Sequence, residues 1–174
     1  MKNRSSTSDW FYYTTQIDGS YDYLRFNSTN AKANSGRNAP TSNVFDQSTM
    51  AGAIGSGDEC IAYCFAEVEG FSNFGSYVGN GSTSGPTIDC GFEPAFVMIK
   101  STTLTGSSRI WDNKRSPSNP RNEILKPNES EAEETNSPNA VIDFLENGFQ
   151  PKSTHSSVNT SGASYIYMAF ANQF

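Results

Sequence analysis

The sequence is poor in charged residues, in histidine and in cysteine. Asp, Glu, Lys and Arg make up 17% of the 174 residues, and the chain has one histidine, His155, and three cysteines. Solvated helices need Glu, Lys, Arg and Ala on their outer faces, so this composition predicts no helix of any length. A zinc site needs several Cys or His ligands, so we expect neither a metal site nor a cofactor.

Long apolar runs and basic clusters are missing as well. No segment reaches the roughly 18 apolar residues of a transmembrane helix, and no apolar stretch follows residues 1–8 as it would in a signal peptide. The net charge is −6, and no basic patch is larger than Lys114-Arg115. Binding to a phosphate backbone needs clustered basic residues. We therefore expect no nucleic-acid partner, no membrane insertion and no export through a signal peptide.

The chain is rich in aromatic residues and in small polar residues. Twelve Phe, eight Tyr and two Trp stand among many Ser, Thr, Asn and Gly residues, which suits strands with aromatic cores and polar outer faces. Short strands separated by turn residues are typical of an all-β antiparallel sandwich or jelly roll. The predicted strands are 10–15, 21–26, 44–45, 60–68, 74–78, 86–90, 95–100, 109–112, 141–145, 149–151 and 164–171.

Two segments of the chain are similar to each other. Residues 56–66 and 161–171 share Ser-Gly, then Ile, then Phe-Ala at matching positions. A repeated β unit favours an architectural or binding role over an enzymatic one. The repeat predicts an internal duplication: an N-terminal arm (1–9), a first unit (10–70), a connecting hairpin (71–91) and a second unit (92–174). These form one domain or two tightly packed ones.

Cys60 and Cys64 lie four residues apart in the predicted strand 60–68. Their Cα atoms would be about 13 Å apart in an extended strand, which is too far for a disulfide. Cys60 matches Tyr165 in the repeat, and Cys64 matches Ala169. We therefore predict that both cysteines are free thiols in the core.

Several motifs resemble a domain found in marine phages and cyanophages. They are IAYCFAEVEGFS (61–72), FGSYVGNG (74–81), GFEPAFVMIK (91–100), NGF (147–149) and YIYMAFA (165–171). The resemblance covers residues 10–171 and implies a concanavalin-like or laminin-G-like sandwich. It also implies a virion structural, tail-fibre-like protein that is made in the host cytoplasm. Tail or capsid location stays open, as does whether the chain is a whole protein or the C-terminal part of a longer one.

A cluster around Trp111 is the best candidate for binding a ligand. Sugar sites combine an exposed aromatic ring with Asn, Asp or Arg side chains, and Trp111 is followed by Asp112, Asn113 and Arg115. The segment lies outside the shared repeat, so the repeated core does not require it. The alternative is that Trp111 is a core residue with its indole N–H satisfied. Tyr13 and Tyr77 are candidates of the same kind.

Carboxylates offer two further alternatives. Glu67 and Glu69 would lie about 7 Å apart on one face of the strand 60–68, within the range of a glycosidase pair, or they simply face solvent. The acidic residues 129–134 could form a calcium site, although their spacing fits no defined calcium loop, or a solvated loop.

The sequence thus supports three functions in decreasing order. The first is a non-enzymatic virion structural protein that forms homo-oligomers and contacts other virion proteins and the host surface. The second is a lectin-like module that recognises host carbohydrate. The third is a polysaccharide depolymerase that uses Glu67.

Overall fold

The computed structural model describes residues 1–45 and 55–172, and in these ranges the chain is all-β. Strands form where aromatic and β-branched residues cluster, as their side chains pack well on a pleated surface. The strands are β1 (Lys2–Asn3), β2 (Phe11–Thr14), β3 (Asp22–Arg25), β4 (Ala33–Asn34), β5 (Cys60–Ile61), β6 (Ser72–Val78), β7 (Ile88–Asp89), β8 (Pro94–Ser101), β9 (Arg109–Asp112), β10 (Ile142–Leu145), β11 (Gly148–Pro151) and β12 (Ser164–Ala171). No helix in these ranges could cross a membrane.

The strands form four antiparallel sheets. The main sheet has the order β6-β12-β8-β9, and the second sheet has the order β10-β11-β7. The N-terminal sheet has the order β2-β3-β4, and β1 pairs with β5. The two longest strands, β12 and β8, lie at the centre of the main sheet. They pair from Tyr165 opposite Ser101 to Phe170 opposite Phe96.

The hydrophobic core lies between the main sheet and the second sheet, which makes this part of the fold a β-sandwich. Alternate residues of β12 and β8 point into it, because successive side chains of a strand face opposite sides. The fully buried side chains include Val97, Ile99, Trp111, Ile142, Phe149 and Tyr165. Tyr77 stacks on Tyr165, with ring centres 5.1 Å apart, and its hydroxyl donates to the carbonyl of Val158 at 2.7 Å.

The opposite face of the main sheet packs partly against the N-terminal sheet. Tyr12 and Phe26 meet Met98, Lys100 and Met168 around a small cavity between the two sheets. Lys100 is only 1% exposed. Its ammonium group is nevertheless satisfied by backbone carbonyls, so the contact between the sheets holds a buried cation as well as apolar side chains.

Most of the predicted strands are confirmed. Strands β9 and β12 have the predicted bounds, and β2, β3, β6, β7, β8, β10 and β11 overlap their predictions. The predicted hairpin of β10 and β11 is confirmed: Glu146 and Asn147 form the turn, and Leu145 lies opposite Gly148, the first residue of β11. The strands β1 and β4 were not predicted, because a strand of two residues is too short to show an alternating pattern.

The predicted strand 60–68 is wrong over most of its length. Only Cys60–Ile61 forms a strand, and residues 62–67 are irregular and exposed. Cys64 is accordingly an exposed free thiol and not a core residue, whereas Cys60 is half-buried. The segment has the alternation of a strand, but in this structure no neighbouring strand pairs with it. Residues 44–45 form no strand either, and the chain that follows them lies outside the described residues.

Two predictions about organisation are not confirmed by the structure. Residues 71–91 do not form a hairpin, because β6 pairs with β12 whereas β7 pairs with β11 in the other sheet. The two similar segments have different roles: residues 161–171 include the central strand β12, whereas 56–66 contribute only the short strand β5. The internal duplication and the jelly-roll order are therefore not confirmed.

Candidate functional site

Trp111 lies on β9 and points into the core, where it is 0% exposed. A ring covered on both faces has no surface on which a sugar can stack, so its position fits the core interpretation. The indole N–H has no hydrogen-bond partner among the described residues, contrary to the expectation for a core Trp.

The neighbours of Trp111 form a closed turn at the end of β9. Asp112 accepts hydrogen bonds from the backbone N–H groups of Lys114 and Arg115, at 2.9 and 2.8 Å, and pairs with the Arg115 guanidinium. Burial would raise the pKa of Asp112, but the hydrogen bonds from Arg115 and Lys114 bring it below its usual range. Arg115 also pairs with Glu133 at 2.6 Å, and the Asn113 N–H donates to Ala95. The Asp112 and Arg115 side chains thus lie together, apart from the Trp111 ring, and their charges serve to close the turn, whereas Asn113 takes part through its backbone.

Tyr77 is a core residue, but Tyr13 lies on the outer face of the N-terminal sheet. There its ring stacks on Tyr21 at 5.5 Å and contacts Tyr23 at 5.9 Å, while Arg25 lies 5.9 Å over the ring of Phe11. Tyr13 is half-buried, and its burial raises the pKa of its phenol to about 12. These rings stabilise one another, so Tyr13 serves mainly to build this small cluster.

An exposed tryptophan with polar neighbours lies at the edge of the same sheet. Trp10 is 40% exposed. The Asn27 side chain accepts from the backbone N–H of Trp10 at 2.9 Å and donates to Asp9 at 2.9 Å, and Asp9 pairs with Arg25 at 3.0 Å. We call Asp9, Trp10, Arg25 and Asn27 the Trp10 corner. It has the residue types expected around Trp111. Pairing the predicted strand 10–15 with the predicted strand 21–26 would have brought the four residues of the corner together.

A second surface feature lies beside β6 and is apolar. Tyr63, Phe65, Val68 and Val78 are 62%, 60%, 52% and 58% exposed, and we call them the apolar strip. Phe65 contacts Phe74 and Phe170, with ring centres 5.9 and 6.1 Å away. Phe65 thus brings the segment that carries Tyr63 and Val68 against the strand that carries Val78. Patches of exposed apolar side chains mark interaction surfaces in soluble proteins. The predicted strand 60–68 had placed most of these residues in a sheet.

The other chemical candidates are engaged in local contacts. Glu67 lies in irregular chain and Glu69 in a turn, so no strand aligns the two carboxylates. Glu67 instead accepts a long hydrogen bond of 3.4 Å from the Phe74 N–H. His155 contacts Ser157 through Nδ1 at 2.7 Å, and burial followed by the charge of Arg109 lowers its pKa.

The acidic segment 129–134 surrounds one lysine. Lys126 pairs with Glu131 at 2.7 Å and lies 3.6 Å from Glu129 and 4.0 Å from Glu134. These carboxylates are therefore balanced by a cation of the chain itself. In the described part of the chain, no group of three or more His, Cys, Asp and Glu side chains is arranged to hold a metal ion.

A comparison with known protein families gives a match that covers almost the whole chain. No curated protein and no solved structure matches the sequence. A protein-family comparison, however, matches residues 1–173, which takes in all four sheets, the Trp10 corner and the apolar strip. The chain therefore belongs to the family described as a domain of unknown function (DUF7483).

Proposed function

We propose that the chain is a non-enzymatic structural domain of a tailed-phage virion, displayed on the tail or on the capsid surface, that assembles with copies of itself. The observation that carries the proposal is the apolar strip. Tyr63, Phe65 and Val78 are each more than half exposed, on a chain in which 35% of the residues are hydrophobic. Covering such a strip with another protein surface removes apolar area from water and favours association.

The similarity of the sequence motifs to the phage domain supports the place of action. The polar groups described above support the non-enzymatic part, because Asp112, Arg115 and Glu134 all lie in ion pairs that hold loops together. Appendages of virions are symmetric assemblies, and their building blocks need contact surfaces more than catalytic groups.

Two measurements test this proposal. Mass spectrometry of purified particles of the encoding phage should detect the chain at the copy number of a structural protein. Sedimentation velocity of the purified chain should show an oligomer at micromolar concentration. If particles lack the chain and it sediments as a monomer at every concentration tested, the proposal is wrong.

A carbohydrate-binding role is the second candidate, and the Trp10 corner favours it. The exposed ring of Trp10 can stack on a pyranose, and the nearby carboxylate, guanidinium and amide can bond to sugar hydroxyls. Such a role fits a virion surface that contacts a glycan-covered host. A glycan array probed with the wild-type chain tests it, since a complete lack of binding would exclude the role.

A further inference from the structure

Strand β6 lies at an edge of the main sheet, and no strand of the described residues pairs with it on the side away from β12. In an antiparallel ladder, alternate residues bond to the neighbouring strand and the others point away from it. Gly79 bonds to Ala163 at 2.8 Å on the β12 side. The Ser72 N–H instead donates to the Val68 carbonyl at 2.9 Å, on the side away from β12. The even-numbered residues Phe74, Ser76 and Val78 therefore point their backbone groups outward, and we call them the β6 edge.

The β6 edge lacks the features that usually protect edge strands. The sequence of the whole strand β6, Ser-Asn-Phe-Gly-Ser-Tyr-Val, has no charged residue and no proline. The opposite edge of the main sheet differs, because Ile110 of β9 exchanges two backbone hydrogen bonds with Leu125, of 2.9 and 3.2 Å. Unprotected edges of this length are templates for pairing with another strand.

The apolar segment that carries Phe65 does not cover this edge in the described part of the chain. Phe65 packs on Phe74 and Phe170, whose rings lie on the outer face of the main sheet. Among the described residues, the Glu67 carboxylate reaches the edge at 3.4 Å from the Phe74 N–H, and Val68 forms a bridge with Ser72 at the start of the strand. Among the described residues, nothing hydrogen-bonds to the backbone of Ser76 on that side.

We propose that β6 pairs with β6 of a second copy, antiparallel about a two-fold axis at Ser76, to make one continuous eight-stranded sheet. In this register, Ser76 lies opposite Ser76 of the second copy, and Phe74 lies opposite Val78 of the second copy. The strand is complementary to itself, because it brings together two neutral serines and two apolar pairs with no like charges.

The apolar strip supports a second copy as the occupant. Strand pairing alone buries little side-chain area, whereas a stable dimer needs a larger apolar contact. Val78 is 58% exposed at the end of β6, and Phe65 packs on Phe74 of the same strand, so the strip continues the edge on the outer face. Pairing two edges would place two strips side by side. This inference rests on the self-association in the proposed function and specifies its geometry.

Hydrogen exchange of the intact chain at increasing concentration tests the pairing. The amides of Ser76 and Val78 should exchange rapidly at low concentration and become protected as the dimer forms. The amides of Gly75 and Tyr77, which face β12, should be protected throughout and act as an internal control. Protection of Ser76 that does not depend on concentration would mean that the chain covers its own edge, and the inference would be wrong.

Two variants separate this interface from other modes of assembly. Ser76→Lys places two ammonium groups opposite each other and should raise the dimer dissociation constant about tenfold or more. Thr105→Lys adds the same charge at an exposed loop position and should leave it unchanged. If both variants associate like the wild type, the β6 interface is excluded, whereas the proposed function remains. A wild type that is monomeric at all concentrations contradicts both.

A disulfide trap gives a geometric test. Opposed residues of a hydrogen-bonded antiparallel pair have Cα atoms about 5.5 Å apart, which is compatible with a disulfide. Ser76→Cys, in a background in which Cys60 and Cys64 are replaced by serine, should form a covalent dimer on mild oxidation. Thr105→Cys in the same background should not. Equal cross-linking of the two variants would contradict the two-fold register.

Discussion

The ammonium group of Lys100 donates a hydrogen bond to the backbone carbonyl of Ser28, 2.9 Å away, and so connects the main sheet to the loop after β3. A second bond of 3.3 Å reaches the carbonyl of Gly106. Both acceptors are neutral, so burial of the cation is not balanced by an opposite charge. Burial therefore lowers the pKa of Lys100 from 10.5 to about 8.

This shift predicts that Lys100 makes stability depend on pH. The unfolded chain keeps the lysine proton up to about pH 10, whereas the folded protein releases it near pH 8, so raising the pH between these values stabilises the fold. Between about pH 7.5 and about pH 9.5, the free energy of unfolding of the wild type should rise by on the order of 1–2 kcal/mol relative to that of Lys100→Met. Urea unfolding at the two pH values measures this.

The comparison with Lys100→Met cancels the effect of other groups that make stability depend on pH. Burial raises the pKa of Cys90 to about 12, so its unfolded thiol ionises first and stability falls above about pH 9 in both proteins. That contribution cancels in the difference. Stability profiles that run parallel for the two proteins would show that Lys100 titrates normally and is not desolvated.

Gly148 cannot carry a side chain. A Cβ atom at this position would lie 1.9 Å from the Ile88 carbonyl oxygen, in the pairing between β11 and β7. Gly148→Ala should therefore lower the free energy of unfolding by about 3 kcal/mol or more, because backbone atoms must move apart. Gly106→Ala is the matched control, since nothing lies within 4 Å of its added methyl group. Equal stability of the two variants would contradict the close approach of β11 and β7.

The two tryptophans should respond differently to replacement by alanine. Trp111 is fully buried, so Trp111→Ala should cost about 3–5 kcal/mol of stability. Trp10 is 40% exposed, so Trp10→Ala should change stability by about 1 kcal/mol or less.

If the chain binds glycans, Trp10→Ala should also weaken that binding about tenfold or more. Thermal unfolding and a glycan titration measure the two effects, and unchanged glycan affinity would exclude the Trp10 corner as the site.

Local signals in the sequence were enough to predict much of the fold. The Asn147-Gly148 turn predicts the β10–β11 hairpin, because Asn-Gly favours the tight turn of a two-stranded unit. The bounds of β12 follow from an apolar run between a Ser-Gly turn and the polar end of the chain. In each case neighbouring residues contain the whole signal.

The remaining features depend on contacts between distant residues. Trp10 and Trp111 each have an adjacent aspartate, yet one lies at a sheet edge and the other in the core. Position within a sheet decides their burial, and the local sequence does not specify it. Residues 62–67 have the alternation of a strand, but a strand forms only by pairing with another strand, and the local sequence does not specify that pairing. The same reason explains why the Trp10 corner, which spans two strands, was not predicted.

The thiols give a direct test of the exposed segment 62–67. Cys64 is exposed, Cys60 is half-buried and Cys90 is buried, so a thiol reagent at neutral pH should modify Cys64 first. Burial also raises the pKa of Cys90, and a thiol without thiolate character reacts slowly. Brief alkylation followed by peptide mass spectrometry should therefore find label on Cys64, and on Cys90 only after unfolding. Cys64→Ser should abolish the fast phase. If Cys64 is instead protected at low protein concentration, where self-association is absent, the segment must pair with β6 of its own chain as a strand. The edge proposed to receive a second copy would then be occupied.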